Sequence, residues 1–356
     1  MITNRYLLEV YRSNKTVKNN HSSIYWKNIN SSKKFNIKNL KNFRADQVLS
    51  KNSDDQINLS AIKLLDYFKY FKSDFLIKNL PRKNIGNNKN FLDYLGFYFD
   101  YGIIHHLKWY EKIRKFFFKK KKIKTICEIG GGFGSFARII LNNHCVKYIL
   151  IDLPENNLLQ AYFLKEHFPS KKIYLHTKKD NLTFRDYQKY DIFILPSFIT
   201  LDPKIKIDLF INTRSFQEME MQEIKRYFDL IQTNDHVFYF LNVNRYSKTI
   251  GEEKINFWDY PYDNYWKVLI SETAFLQNQV HFLFCSRLSK KIKKKKIDKT
   301  MQNIKLLYNC KKKTSSIYLN YWYGILYFFC KNILILPLSK KFIRRISYFL
   351  FNISSK

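Results

Sequence analysis

Four of the chain's nine glycines fall within positions 130–134, where the sequence reads GGGFG. Glycine loses more backbone entropy on folding than any other residue, so such a cluster indicates a tight turn or a close approach of the backbone to a ligand. A short apolar run precedes it over 124–129, and a helical pattern follows it to about 142. Strand, glycine turn and helix together predict the first βα unit of a nucleotide-binding doubly wound sheet.

Short apolar runs continue to alternate with helical stretches after this unit. This alternation predicts an α/β fold with a parallel sheet and helices on both faces. The further strands are predicted over 146–152, 171–177, 191–197, 235–244 and 280–288, and the further helices over 156–168 and 221–232. Ahead of the glycine turn, apolar residues at helical spacing predict helices over 58–72 and most of 90–117, whereas 1–57 reads as loops and marginal helix.

Charge and cysteine content restrict the functional class less sharply. The chain carries 63 Lys and Arg against 29 Asp and Glu, a net charge of +34. Such a charge attracts nucleic acid or an anionic membrane surface, but abundant Lys, Asn and Ile also follow from an AT-rich genome, and both interpretations stay open. The five cysteines form no CxxC pair, which argues against a zinc site and a disulfide framework and favours cytoplasmic thiols. No signal peptide is expected from the first residues.

The glycine turn is compatible with two ligands. Read from Gly132, the sequence GFGSFA is an allowed variant of the dinucleotide pattern, so NAD is not excluded. An acidic residue, Glu128, also stands two positions before the first glycine, and Asp152 ends the predicted second strand 20 residues after Gly132. A carboxylate there can accept hydrogen bonds from both ribose hydroxyls.

The sequence EIGGGFG resembles motif I of class I S-adenosylmethionine-dependent methyltransferases, which have a Rossmann-like sheet. The resemblance implies that S-adenosylmethionine binds at Gly130, Gly132 and Gly134. Glu128 would then help to hold the methionine amine, and Asp152 would bind the ribose.

Four further segments resemble a family of sugar O-methyltransferases encoded in bacterial surface-polysaccharide loci. They are IDLPE within "KYILIDLPENN", NTRSFQEM, NVNRY and WDYPYDNYW, and the resemblance covers about 94–288. It implies methyl transfer to a sugar hydroxyl of a surface glycan or its precursor. Composition and the predicted elements divide the chain into a polar extension over 1–57, a helical region over 58–122 that is expected to be a substrate cap, a domain over 123–289 that is expected to be the methyltransferase domain, and a basic, apolar tail over 290–356.

Several polar and aromatic residues are candidates for the acceptor site. A weakly acidic sugar hydroxyl needs a base or an acceptor for its proton, and Glu218, His105 and His106 are the candidates. Glu218 alternatively compensates a helix N-terminus, and the histidines are alternatively structural. Hydrogen bonds to the sugar are predicted from Asn212, Ser215 and Gln217, and aromatic faces from Trp258, Tyr262 and Trp266, which alternatively form a lid packed on the core. No set of residues has convincing metal-ligand spacing.

The tail suggests a membrane contact. Residues 317–338 are strongly apolar but contain Asn320 and Lys331, and 339–353 alternates basic and apolar residues. We expect 317–353 to lie on the inner face of the cytoplasmic membrane, which would suit a lipid-linked glycan acceptor. A helical hairpin packed on the catalytic domain is the alternative.

Two other functions stay open. The net charge favours a nucleic-acid methyltransferase, but the base-stacking tetrapeptide of amino-methylating enzymes is absent, and LPSF at 195–198 is a poor match. The second is a non-catalytic scaffold in glycan assembly.

Overall fold

A computed structural model describes residues 3–16, 37–44, 75, 78–88, 92–94, 97–120, 122–177, 181–244, 246–248, 254–274, 277–293 and 296. The chain forms two compact units, one of residues 1–40 and 110–307 and the other of residues 41–109 and 308–356. The predicted helix over 58–72 and the tail segment over 317–353 lie outside the described residues.

The helices and strands are numbered here in chain order. Within the described residues, the α-helices are α1 (Asn4–Lys15), α2 (Tyr101–Lys120), α3 (Ser135–Asn143), α4 (Pro154–His167), α5 (Phe184–Lys189) and α6 (Met221–Gln232). The strands are β1 (Leu92–Tyr94), β2 (Phe97–Phe99), β3 (Thr125–Ile129), β4 (Lys147–Asp152), β5 (Ile173–Leu175), β6 (Ile192–Pro196), β7 (Leu209–Thr213), β8 (Phe238–Asn244), β9 (Tyr246–Lys248), β10 (Lys254–Asn256), β11 (Trp266–Ala274) and β12 (Gln277–Arg287). Short 3-10 helices span Ile37–Asn42, Phe216–Glu218 and Phe257–Asp259.

An eight-stranded sheet organises the first unit, in the order β5-β6-β4-β3-β7-β8-β12-β11. The six strands from β5 to β8 in this order are parallel, and β12 lies antiparallel between β8 and β11. Right-handed crossovers place α3 and α4 on one face and α6 on the other. The predicted doubly wound, Rossmann-like sheet is therefore confirmed.

Alternate residues of the central strands face opposite helix layers. Cys127 and Ile129 of β3 belong to one apolar core with Phe228 of α6, so Glu128 between them faces the α3 and α4 layer. All five residues of β3 are buried, as expected for a parallel strand covered on both faces.

The strand order reverses at β3. The chain leads from β3 through α3 to β4 on one side, while β7 pairs with β3 on the other. In open α/β sheets, ligands bind where the order reverses, at the carboxyl ends of the strands. The glycine turn over 130–134 follows β3 there, and the loop over 214–220 follows β7.

Helix α1 packs against helix α4 through one apolar face. Leu7, Val10 and Tyr11 are buried, and Thr3 caps the helix by accepting from the Tyr6 amide at 3.2 Å. Side chains near its end reach the segment after β5: Ser13 Oγ donates to the Thr177 carbonyl at 2.8 Å and Asn14 Nδ2 to the His176 carbonyl at 2.9 Å. This helix lies where only loops and marginal helix were expected, because its apolar spacing outweighs its polar composition.

Two other predictions about secondary structure were wrong. Leu92–Tyr94 and Phe97–Phe99 pair as the antiparallel strands β1 and β2 rather than starting a helix, since aromatic side chains favour strand pairing. Strands β7 and β11 were missed. The apolar part of β7 is only Leu209–Ile211, too short for its period to be read from sequence.

The second unit contains the β1–β2 strand pair and the first half of α2. Asp100 organises its described part: the carboxylate accepts the Ile103 amide at 2.8 Å at the start of α2 and pairs with Arg44. His105 and His106 belong to this unit, and both rings lie beside Trp109, with centroids at 6.2 and 4.9 Å.

Candidate ligand site at the glycine turn

Three glycines of the turn have backbone conformations that only glycine adopts easily. Gly130, Gly132 and Gly134 have φ of 72°, 58° and 90°, in the left-handed region that costs other residues about 1–2 kcal/mol. A Cβ at Gly130 would lie 2.1 Å from Ser215 Oγ, whereas a Cβ at Gly132 would meet nothing within 4 Å. The first glycine therefore allows close packing, and the second opens a space beside the backbone.

The Asp152 carboxylate fixes this turn to the end of β4. Its Oδ2 accepts from the Gly132 amide and from Gln160 Nε2, both at 3.0 Å. Its Oδ1 accepts from the Leu153 amide and Asn156 Nδ2, both at 2.8 Å. A carboxylate has about four acceptor positions, so a ligand hydroxyl can bind Asp152 only by replacing one of the two side-chain amides.

Gln160 holds the turn from a second side. Its Nε2 also donates to the Gly132 carbonyl at 2.8 Å, and the residue is fully buried on α4. Both polar groups of the Gly132 backbone are thus bonded to the β4–α4 layer. No sequence motif pointed to Gln160, although it lies on the same face of α4 as Asn156 and Asn157, one helical turn along.

A second carboxyl group, Glu128, lies beneath the turn and out of water. Tyr148 Oη donates to its Oε2 at 2.8 Å, and its Oε1 is buried with no hydrogen-bond partner. A Cβ on Gly131 would come within 3.1 Å of the Glu128 carboxyl carbon. The pKa of Glu128 is raised to about 8. Burial is the main cause, the charge of Asp152 adds to it, and the hydrogen bond from Tyr148 opposes it.

Asp152 itself has a perturbed pKa. Burial raises it to about 6, against the hydrogen bonds from Asn156, Leu153 and Gly132, which lower it. Two neighbouring carboxyl groups are therefore held out of water under one glycine turn, an arrangement that favours a positively charged ligand.

The opposite wall of the crevice is built from the end of β7. Asn212 Nδ2 donates to the Ile129 carbonyl at 3.0 Å and to Ser215 Oγ at 2.6 Å, and Asn212 Oδ1 accepts from the Phe216 amide at 3.2 Å. Ser215 Oγ also donates to the Ile129 carbonyl at 3.1 Å. Asn212 is fully buried, so its geometry favours positioning of the crevice over direct contact with a sugar.

The loop over 214–220 carries the polar residues next to this wall. Gln217 and Glu218 are half-buried in a 3-10 helix, and the Glu218 amide donates to the Ser215 carbonyl at 2.9 Å. Helix α6 begins after Glu220, so Glu218 lies before the helix rather than in its first turn. Arg214 has a φ of 71°, a conformation that is uncommon outside glycine and often marks a functional site. No pattern in the neighbouring residues predicts this conformation.

The predicted aromatic platform is only partly accessible. Trp266 is fully buried, with its Nε1 donating to Gln232 Oε1 at 3.1 Å, and Tyr262 packs edge-on against Phe228 at 4.9 Å between ring centroids. A sugar-stacking role for these two rings is not supported, because both face the core. Trp258 is half-buried against Phe257, and its role stays a prediction, as do those of His105 and His106.

In the part of the chain that the structure describes, no group of three or more His, Cys, Asp or Glu is arranged to hold a metal ion. Within the same residues, no helix combines the length and hydropathy needed to cross a membrane.

No protein-family model and no curated protein sequence matches the chain. It is similar to the solved structure of the mitomycin 7-O-methyltransferase MmcR, at 11% identity and a TM-score of 0.35, over 52% of this chain and 56% of that one. The chain is also similar to an uncharacterised protein from Listeria monocytogenes serotype 4b, at 13% identity and a TM-score of 0.36, over 69% of this chain and 97% of that one. A third similar structure is Haemonchus contortus phosphoethanolamine N-methyltransferase 1 in complex with phosphoethanolamine and S-adenosylhomocysteine. The identity is 11% and the TM-score 0.33, over 59% of this chain and 48% of that one.

The chain spans little more than half of the first of these structures, at 56% of its length. All three scores lie below 0.5, so we infer no activity from them.

The two glycines should respond differently to alanine. Gly132→Ala should lower the free energy of unfolding by about 1 kcal/mol, the cost of a left-handed alanine with open space around it. Gly130→Ala should lower it by about 3 kcal/mol or more, since the methyl group also displaces Ser215. Urea denaturation of both variants measures the difference, and equal losses would contradict the packing described.

Stability should depend on pH through Glu128. Because its pKa of about 8 in the fold exceeds the ordinary 4.5, the folded protein binds the proton more tightly, and stability falls as pH rises from about 4.5 to about 8. Glu128→Gln removes this loss, so the variant should gain on the wild type by up to the order of 4 kcal/mol across that window. Denaturation at pH 5, 7 and 9 tests this, and parallel profiles would contradict it.

Proposed function

We propose that the chain is an S-adenosylmethionine-dependent O-methyltransferase that methylates a sugar hydroxyl of a surface glycan or its precursor. One observation carries the proposal: the Asp152 carboxylate at the end of β4 lies 3.0 Å from the Gly132 amide. The acidic residue and the glycine turn, separated by 20 positions in sequence, thus form one site at the point where the strand order reverses.

The charge of the site favours this cofactor over NAD. A dinucleotide brings an anionic pyrophosphate to the glycine turn, next to Glu128 and Asp152. S-adenosylmethionine has no pyrophosphate and carries a sulfonium and an amine, and such cations beside Asp152 and Glu128 favour the ionised carboxylates. When bound, it supplies an electrophilic methyl group.

The residues present fit that cofactor. The space above Gly132 admits a ligand against the backbone, and the unpartnered Oε1 of Glu128 is available to the methionine amine, directly or through water. Asp152 binds the ribose once Asn156 or Gln160 yields its hydrogen bond. A nearby cation would also lower the pKa of Glu128 and favour its ionised form.

The loop over 214–220 packs against the glycine turn through Ser215 and Gly130 and is proposed as the acceptor side. Glu218 is proposed to accept the proton of the sugar hydroxyl, and Ser215 and Gln217 to orient the sugar. Their main contribution is alignment of the hydroxyl with the methyl group and exclusion of water. A lipid-linked acceptor and a contact of 317–353 with the inner face of the cytoplasmic membrane are part of the same proposal.

Donor binding provides the first test. Calorimetric titration should show binding of S-adenosylmethionine and none of NAD, and Asp152→Ala should abolish it. Asp191→Ala is the matched control, because Asp191 accepts the Lys172 amide at 2.8 Å at the opposite edge of the sheet. Binding of NAD alone, or equal loss in both variants, would overturn the assignment.

Glu218→Gln tests the base. The variant should methylate a glycan acceptor about 10²–10⁴-fold more slowly, because this is the usual contribution of a general base. Its affinity for the donor should be unchanged. Methyl transfer from labelled donor to surface-glycan precursors measures this, and His105→Gln and His106→Gln are run beside it. Unchanged turnover in Glu218→Gln would remove it from catalysis, and transfer to RNA or DNA alone would replace the sugar acceptor.

A further inference from the structure

Lysines occupy the loops that enter four of the six parallel strands of the sheet at their amino ends. Strand β12 runs antiparallel, so its carboxyl end lies at this same edge. We name this set the lysine edge: Lys122 and Lys124 before β3, Lys171 and Lys172 before β5, Lys189 before β6, Lys204 and Lys206 before β7, and Lys290, Lys291 and Lys293 after β12. All are exposed except the half-buried Lys171.

Hydrogen bonds between the loops hold this edge together. The Asp191 amide donates to the Lys172 carbonyl at 2.8 Å, and the Lys147 amide donates to the Lys124 carbonyl at 2.9 Å. The Lys124 amide donates to Asp208 Oδ2 at 2.8 Å. Neighbouring strands lie about 4.8 Å apart, so the lysines are spread along the sheet edge from β5 to β12, with gaps at β4 and β8.

The carboxylates at this edge are already engaged. Asp191 and Asp208 accept backbone amides of the lysine loops, and Asp235 and Asp263 bind Arg287, at 3.0 and 2.7 Å. In the part of the chain that the structure describes, no carboxylate forms an ion pair with the ammonium groups of Lys122, Lys124, Lys172, Lys204, Lys206, Lys290 or Lys291. Their charge is thus presented to solvent.

The surface around these charges favours lipid over nucleic acid. Proteins that bind single-stranded nucleic acid stack bases on exposed aromatic rings. Among the described residues, the one large hydrophobic side chain that is exposed is Tyr6, on α1. The sequence that continues from Lys293 is rich in apolar and aromatic residues with interspersed Lys and Arg, a composition typical of segments at a bilayer interface.

We propose that the lysine edge is a docking surface for an anionic bilayer. This goes beyond methyl transfer and does not depend on it, because the edge shares no residue with the glycine-turn site. Carboxyl and amino ends of parallel strands lie at opposite edges of the sheet. Docking therefore turns the glycine turn away from the lipid, and a lipid-linked acceptor reaches it only through an extended glycan.

Vesicle sedimentation of the full chain tests the proposal. The face variant is Lys124→Gln with Lys206→Gln, and the matched control is Arg12→Gln with Lys225→Gln, two exposed cations on α1 and α6. Vesicles of phosphatidylcholine with 30% phosphatidylserine (roughly that of an anionic leaflet) are compared with pure phosphatidylcholine at physiological ionic strength. Both variants keep residues 317–353, so any difference between them arises from the lysine edge.

Removing two lysines should lower the partition onto anionic vesicles roughly 30-fold, while the control stays within about threefold of the wild type, since its cations lie off the docking surface. Equal partition of face variant and control would overturn the proposal, as would RNA binding that is tighter than vesicle binding and lost in the face variant. Circular dichroism and calorimetric donor titration show whether either variant is misfolded. Loss of donor binding in the wild type would count against the proposed function and leave the docking result intact.

Discussion

The site depends on one buried carboxylate that accepts four hydrogen bonds. Removing a carboxylate from water costs several kcal/mol. The four donors around Asp152 offset that cost, and one of them, the Gly132 amide, is in place only while the glycine turn keeps its left-handed backbone. The carboxylate, the Gly132 amide and the start of α3 therefore form one cooperative structure. A ligand that takes over the bond from Gln160 or Asn156 exchanges one partner for another and leaves the Gly132 and Leu153 amides in place.

The other wall of the crevice is rigid for a different reason. There the neutral side chains of Asn212 and Ser215 both donate to the Ile129 carbonyl, at 3.0 and 3.1 Å. This carbonyl ends β3, so the same strand end that starts the glycine turn also anchors the loop carrying Glu218. Fixed walls of this kind reduce the entropy lost when a donor and an acceptor are brought into line.

The sequence-based predictions succeed where a signal is local and fail where it is not. The glycine turn, the end of β4 at Asp152 and helix α6 were predicted because their composition is distinctive within a few residues. Strand β7 was missed because it is defined by its neighbours in the sheet. Gln160 was not predicted because its role depends on a hydrogen bond to Gly132, 28 positions away. The aromatic cluster around Trp266 illustrates the same limit. A loop rich in tyrosine and tryptophan has the same sequence pattern whether its rings face a sugar or the core.

Helix α1 has a consequence for biosynthesis. Its side chains bond to His176 and Thr177, which are 162 and 164 positions further along the chain from the residues they meet. At a synthesis rate of about 5–20 residues per second, the helix leaves the ribosome roughly 10–30 s before its partners exist. Through that interval its apolar face has no native surface to cover it, so the nascent chain depends on a chaperone or on the solubility of its polar flanks.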